Sequence, residues 1–174
     1  EARVSDALLD YAMHVMAEQA AWSLAAGYVP INEPEILMDG LHTMEQCAEA
    51  TERTLVMLFR KLKEHGVDPA LTILKTNMVL SGKELKKDAP DIVGKATLEV
   101  FRKLLPKELP GIVFLSGGQS AVQATENLNA CVLEAKKMKA PWTLSFSYGR
   151  ALQDDALKAW AGKVANIPAA QAAF

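Results

Sequence analysis

The chain has 174 residues, 50% of them hydrophobic and 23% charged, with a formal net charge of −2. That length supports one domain with its own core, and the near-neutral balance argues against nucleic-acid or anionic-membrane partners. No apolar run is long enough to cross a bilayer, no secretory leader is visible, and Cys47 and Cys131 lack the spacing of a disulfide frame or zinc site, so they read as buried thiols in a reducing compartment.

The first residue is Glu rather than Met, and a helical pattern is already running by Val4. The sequence therefore reads as a piece of something longer. Val4, Leu8, Tyr11, Val15 and Trp22 recur at helical spacing and predict the inner face of a first helix, which Gly27 stops. Tyr28 to Glu35 reads as a brief strand, because Pro34 cannot donate to a ladder. Asp39-Gly40 turns the chain. Thr43 with Gln46 forms a capping box, and Cys47, Thr51, Leu55, Leu58 and Leu62 mark the buried face of the next helix, closed by Gly66.

Leu71 to Val79 is the stretch on which the chemistry centres. Apolar and β-branched residues run straight into Lys75, which predicts a strand buried on both faces with an amine at its carboxyl end. Burial disfavours a charged ammonium, so such a lysine tends toward a neutral, nucleophilic amine able to form a Schiff base with a carbonyl. The alternative is a lysine that leaves the strand and reaches water. Ser81-Gly82 turns the chain, and Lys83 to Lys87 reads as a solvated basic loop. Asp88 is placed as a helix cap ahead of Pro90 and Asp91. Val93, Ala96, Val100 and Leu104 are expected to face inward, with Pro106 as the stop.

Gly111 to Leu115 predicts a third buried strand. Ser120 and Gln123 begin a capped helix with Leu128, Val132 and Ala135 inward. Trp142 to Tyr148 predicts a fourth strand, Ala151 to Trp160 a helix, and Ala165 onward another. One helix followed by four strand–helix units predicts right-handed crossovers and a parallel sheet. The unit length of about 30–45 residues suits an α/β (β/α)8 barrel of TIM type, of which about half is present.

Glu33 and Glu35, Lys75, Ser116-Gly117-Gly118 and Gly149-Arg150 all fall just past the carboxyl end of a predicted strand, the face on which such barrels collect their sites. Ser116 and the glycines lead into a helix N-terminus, where free N–H groups attract a phosphate; they also fit an ordinary loop. Arg150 offers a fork for phosphate oxygens or is a surface residue. Glu33 and Glu35 share one side of the strand if it continues past Pro34. They act together in proton transfer, or one is the acid and the other a buried partner of Lys75. His14, His42 and His65 do not cluster at ligand spacing, so no metal and no cofactor is expected.

Val29-Pro30-Ile31-Asn32-Glu33-Pro34-Glu35-Ile36-Leu37, Leu74-Lys75-Thr76-Asn77-Met78-Val79, Phe114-Leu115-Ser116-Gly117-Gly118-Gln119-Ser120, Asn127-Leu128-Asn129 and Ser145 to Gln153 together resemble class I fructose-bisphosphate aldolase across nearly all of residues 5–171. The resemblance implies reversible, metal-free cleavage of fructose 1,6-bisphosphate to dihydroxyacetone phosphate and glyceraldehyde 3-phosphate, in glycolysis and gluconeogenesis. It matches Lys75 to the Schiff-base lysine, Glu33 to the acid/base glutamate and Glu35 to the second glutamate. Ser116, Gly117, Gly149 and Arg150 match its phosphate-binding positions. It also implies a homotetramer working in the cytoplasm or a plastid.

Thr76, Asn32 and Ala161 stand where the family usually has proline, valine and glycine. Residues 1–174 correspond to the C-terminal half of the family's barrel, so an N-terminal half carrying an aspartate and lysines of the site, and a tyrosine-bearing tail, fall outside the resemblance. The competing expectations are a non-catalytic half-barrel serving as a structural or interaction module, which predicts self-association through its open edges, and a Schiff-base lyase for another phosphorylated ketose.

Overall fold

The computed structural model describes residues 3–174. Helix α1 spans Asp6–Ala25, opened by the Ser5 hydroxyl accepting from the Leu8 N–H. Then come β1 (Ile31–Asn32), α2 (Met44–Glu64), β2 (Ile73–Thr76), α3 (Pro90–Leu104), β3 (Gly111–Phe114), α4 (Ala121–Met138), β4 (Thr143–Phe146), α5 (Arg150–Trp160) and α6 (Ile167–Ala173). The expected helix followed by repeating strand–helix units is the observed order.

The strands form one four-stranded sheet in the order β1-β2-β3-β4, and every neighbouring pair is parallel. Each strand is thus joined to the next by a crossover through one helix, and right-handed crossovers put the helices on a common face. Burial follows that arrangement. Asn32, Leu74, Thr76, Ile112 and Phe114 point into the helix layer and are buried. Ile31, Ile73, Lys75 and Val113, on the other face, are exposed or half-buried. The expectation that the Lys75 strand is buried on both faces is therefore corrected: β2 is covered on one face and opens Lys75 to the other.

The core lies between sheet and helices. Leu55, Leu58, Leu62, Leu74, Val93, Leu98, Phe101, Ile112 and Phe114 are all within 1% of full burial, and the Phe101 and Phe114 rings stack with centroids 5.9 Å apart. The Thr43–Gln46 capping box is present with both reciprocal bonds, and Cys47, Thr51, Leu55, Leu58 and Leu62 are the buried face of α2 as its spacing requires. Gly27 and Gly66 take positive φ where the helices stop. In α4 the inward set is Ala124, Asn127, Cys131 and Ala135, with Leu128 and Val132 at the half-buried flank.

Two expectations fail for physical reasons. The inner face of α1 is Leu9, Met13, Ala17 and Ala20, while Leu8, Tyr11, Val15 and Trp22 are 57%, 65%, 44% and 68% exposed. The helix is apolar around much of its circumference, so spacing alone does not choose the face; small alanines allow the close approach that the larger side chains would block. Asp88 does not cap α3, whose N-cap is Ala89 with no side-chain bond. Its carboxylate instead accepts from the Ser81 N–H at 2.8 Å and the Ser81 hydroxyl at 3.1 Å, closing the loop between them.

Candidate active site

Lys75 stands one residue before the end of β2, on the open face of the sheet. Its Nζ lies 2.9 Å from Glu33 Oε1, with side-chain exposures of 20% and 46%. Glu33 reaches it because β1 and β2 are in register, Ile31 beside Ile73 and Asn32 beside Leu74, which brings the next residue of each chain alongside. The strand does not continue as expected: β1 ends at Asn32, so regular alternation does not place Glu35. Glu35 is exposed and makes no ion pair among the described residues. The expectation of a buried carboxylate partner is corrected as well, since Glu33 is half-exposed. Lysine and glutamate meet on the open face of the sheet, both partly exposed.

The neighbouring loops are braced to one another. The Lys83 N–H donates to Met38 O at 2.7 Å, and the Gly82 N–H donates to His42 O at 2.8 Å. Gly82 is required here, because a Cβ would meet Gly40 O at 2.2 Å. The basic loop is exposed as expected, yet Lys83 also bonds Asp39. That bond and charge hold the Asp39 carboxyl below the usual range, with the Arg150 guanidinium adding to the pull. Arg150 therefore faces the loop that follows Glu35, from the first turn of α5, with Gly149 as the N-cap residue. Arg150 is exposed, and a guanidinium offers a fork suited to an anion.

Ser116 is 6% exposed and lies two residues past the end of β3. Gly117 and Gly118 take φ of +56° and +77°, a conformation natural to glycine. At Gly117 a Cβ would press on Met38 Cγ at 3.2 Å, so this turn packs against the loop carrying Glu33 and Glu35. Helix α4 begins a few residues on, with Ser120 capping the Gln123 N–H at 3.2 Å. Because β2 and β3 are parallel, this turn and the start of α4 lie at the same carboxyl edge of the sheet as Lys75. The structure brings together Glu33 and Lys75 by direct contact, and Ser116, Gly117, Gly149 and Arg150 along the adjoining strand ends.

Three buried amides, to which the sequence reading gave no role of their own, organise these loops. Gln119 Nε2 donates to Ser116 O at 2.8 Å, and Asn127 Nδ2 donates to Gln119 Oε1 at 2.6 Å. Asn77 Oδ1 accepts from the Ile36 N–H at 3.1 Å. Their signal was a polar residue inside an apolar run, Asn77 before Met78-Val79-Leu80 and Asn127 on the inner face of α4, where burial demands a partner. A cleft of about 320 Å³ beside the free edge of β1 is lined by Met16, Ala20, Ser23, Ile31 and Glu33, among others.

The family model for class I fructose-bisphosphate aldolase matches residues 1–174. This chain belongs to the class I fructose-bisphosphate aldolase family. The cytoplasmic isozyme of fructose-bisphosphate aldolase from Spinacia oleracea is 50% identical over 149 residues, covering 85% of this chain and 41% of that protein. The aldolase of Dictyostelium discoideum is 44% identical over 162 residues, covering 92% and 44%. The solved aldolase of Plasmodium falciparum, in complex with TRAP and a small-molecule inhibitor, superposes with a TM-score of 0.89 at 40% identity, covering 97% of this chain and 48% of that one. The sheet and its helices are therefore part of an aldolase TIM barrel, and the chain spans less than half the length of these relatives. Among the described residues no group of three His, Cys, Asp or Glu is placed to hold a metal ion, and no helix is long and apolar enough to cross a membrane.

Proposed function

We propose that residues 1–174 form the C-terminal half of an aldolase barrel that cleaves fructose 1,6-bisphosphate through an imine on Lys75. The observation that carries this reading is the Lys75–Glu33 contact at 2.9 Å on the open face of a parallel sheet, in a chain of the aldolase family. The Lys75 amine attacks the C2 carbonyl of the open-chain sugar, and water leaves. The protonated imine then draws in the electrons of the C3–C4 bond as the C4 hydroxyl gives up its proton. Glyceraldehyde 3-phosphate departs, leaving an enamine. Protonation at C3 and hydrolysis release dihydroxyacetone phosphate and restore the amine. Glu33 is the group in reach to shuttle protons at the lysine, and Glu35 serves as a second carboxylate at the rim. Ser116, Gly117, Gly149 and Arg150 bind the substrate phosphates through N–H groups, a hydroxyl and a guanidinium.

The remaining barrel units are the partner this reading requires. β1 and β4 each have one strand neighbour, which leaves two open parallel edges, and Leu8, Tyr11, Val15 and Trp22 of α1 are apolar and exposed. Open edges and apolar faces are normally covered, and a preceding set of strand–helix units fits both. The assembled enzyme is a cytoplasmic homo-oligomer in this reading, supported by the cytoplasmic and cytosolic names of its relatives.

The test is reductive trapping. The protein is incubated with dihydroxyacetone phosphate and borohydride, then read by intact mass and peptide mapping, with Lys75→Met as control. A reduced adduct on Lys75 that the control lacks supports the reading. No adduct on folded protein, alone or with the missing units supplied, overturns it in favour of a non-catalytic half-barrel.

A further inference from the structure

The Asn77 side chain is 1% exposed and lies just past β2. Its carboxamide is saturated. Oδ1 accepts from the Ile36 N–H at 3.1 Å and from the Thr76 hydroxyl at 3.5 Å. Nδ2 donates to Thr51 Oγ1 at 3.3 Å and to Met78 O at 3.1 Å, with Cys47 Sγ at 3.9 Å. Acceptors lie on one side and donors on the other, so the amide has one orientation: turned over, its NH2 would face the Ile36 N–H. Thr51 and Cys47 belong to the buried face of α2. One side chain therefore ties together the segment after β1, the end of β2 and a core helix.

The position matters because of what the backbone fails to do. The β1–β2 ladder ends with Asn32 beside Leu74. Pro34 has no N–H, so the ladder cannot resume through it. Among the described residues, the next backbone bond from this segment to the β2 side is at Met38 O. Glu33 sits in the gap. The Asn77–Ile36 bond spans that gap, joining the residue after Glu35 to the residue two beyond Lys75.

We propose that Asn77 is a positioning residue for the Lys75–Glu33 pair. Its carboxamide replaces the ladder that Pro34 interrupts, and so holds the Glu33 segment at the register from which its carboxylate reaches the amine. The part of this that concerns catalysis rests on the Schiff-base reading; the holding of the segment does not.

The experiment compares the parent chain with Asn77→Ala, which removes the clamp, and Thr51→Val, which removes one acceptor of the Asn77 NH2 while leaving Oδ1 and its bond to the Ile36 N–H possible. Hydrogen exchange is read at the Ile36 amide and, as reference, at Leu115, whose N–H bonds Thr76 O across β2 and β3. Imine trapping on Lys75 by dihydroxyacetone phosphate and borohydride is followed against pH. In Asn77→Ala, Ile36 is expected to exchange about tenfold faster with Leu115 unchanged, the worth of one buried hydrogen bond. Trapping slows by roughly ten- to a hundredfold and its pH profile shifts, as a misplaced proton-transfer group requires. Thr51→Val shows the same changes at smaller size and decides the matter if Asn77→Ala does not fold. Unchanged Ile36 exchange in the folded variants overturns the proposal, as does an equal quickening at Leu115, which marks general destabilisation. If the parent chain forms no imine, alone or with the missing barrel units supplied, the Schiff-base reading fails by itself, and Ile36 exchange alone then supports or overturns the clamp.

Discussion

Glu33 meets Lys75 at 2.9 Å one residue beyond the last β1–β2 ladder pair, Asn32 with Leu74. The carboxylate is therefore aimed by register yet free of the strand itself. Glu33→Gln keeps the shape and removes the charge and the proton acceptor. In the assembled enzyme proposed above, steady-state cleavage of fructose 1,6-bisphosphate is expected to fall by about 10²- to 10⁴-fold, while adduct on Lys75 still forms, more slowly than in the parent. Unchanged turnover would remove Glu33 from the proton path.

Alkaline pH should weaken the fold. Burial pushes the Cys131 thiol from 9.0 up to about 12, opposed slightly by the Thr97 hydroxyl. Burial, helped by Cys131, pushes the Tyr148 phenol from 10.0 up to about 12, and that hydroxyl donates to Ala124 O at 2.8 Å. Both groups keep their protons in the fold at pH values where the unfolded chain has lost them. The unfolded state then binds fewer protons, so stability is full below the unfolded values and declines as pH rises from 9.0 toward about 12. Thermal unfolding followed by circular dichroism should show a Tm that drops across this range, and a shallower drop in a Cys131→Ala, Tyr148→Phe double variant.

Gly94 is a contact point between α3 and α4. A Cβ there would lie 2.8 Å from both Ala130 C and Ala130 O, and neither helix backbone can yield without moving its neighbours. Gly94→Ala should cost about 1–3 kcal/mol despite the better helix propensity of alanine. Chemical denaturation is the measurement, with the exposed Lys95→Ala as reference, expected within about 0.5 kcal/mol of the parent.

The two sides of α1 should respond oppositely. Met13 is 6% exposed and Trp22 is 68% exposed. Met13→Ala is expected to cost about 2–5 kcal/mol, and Trp22→Ser about 0.5 kcal/mol or less in this chain. If the further barrel units proposed above are supplied, Trp22→Ser should weaken their association with this chain. A large loss from Trp22→Ser alone would restore the face expected from spacing.

The strand–helix order was legible because its punctuation is chemical. Gly27, Gly66 and Pro106 stop helices, Thr43 and Ser120 start them, and Gly117 and Arg150 mark strand ends. What the sequence hid were choices between equivalent partners. Helix α1 offers apolar residues on several sides, and only a neighbour's shape selects Leu9 and Met13 over Leu8 and Tyr11. Asp88 has the right chemistry for a cap, but Ser81 offers its carboxylate two bonds at once. Asn77 gave no sign of its role because its partner Ile36 is distant in the chain. At the site, Lys75 and Glu33 were placed by their strand ends, whereas the early end of β1 left Glu35 outside the alternation that would have placed it.

The sheet order β1-β2-β3-β4 has a consequence for synthesis. Each strand finds its partner in the strand made just before it, so no pairing waits for a distant part of the chain. Sequence-local contacts favour rapid folding, and segments emerging from the ribosome can add to what has already formed. Lys75 and its loop are made after Glu33 and α2, so the amine arrives at a surface that already holds its carboxylate. Strand β4 is made last of these four and is the least covered, with Phe146 48% exposed, so its edge is the latest of theirs to be closed.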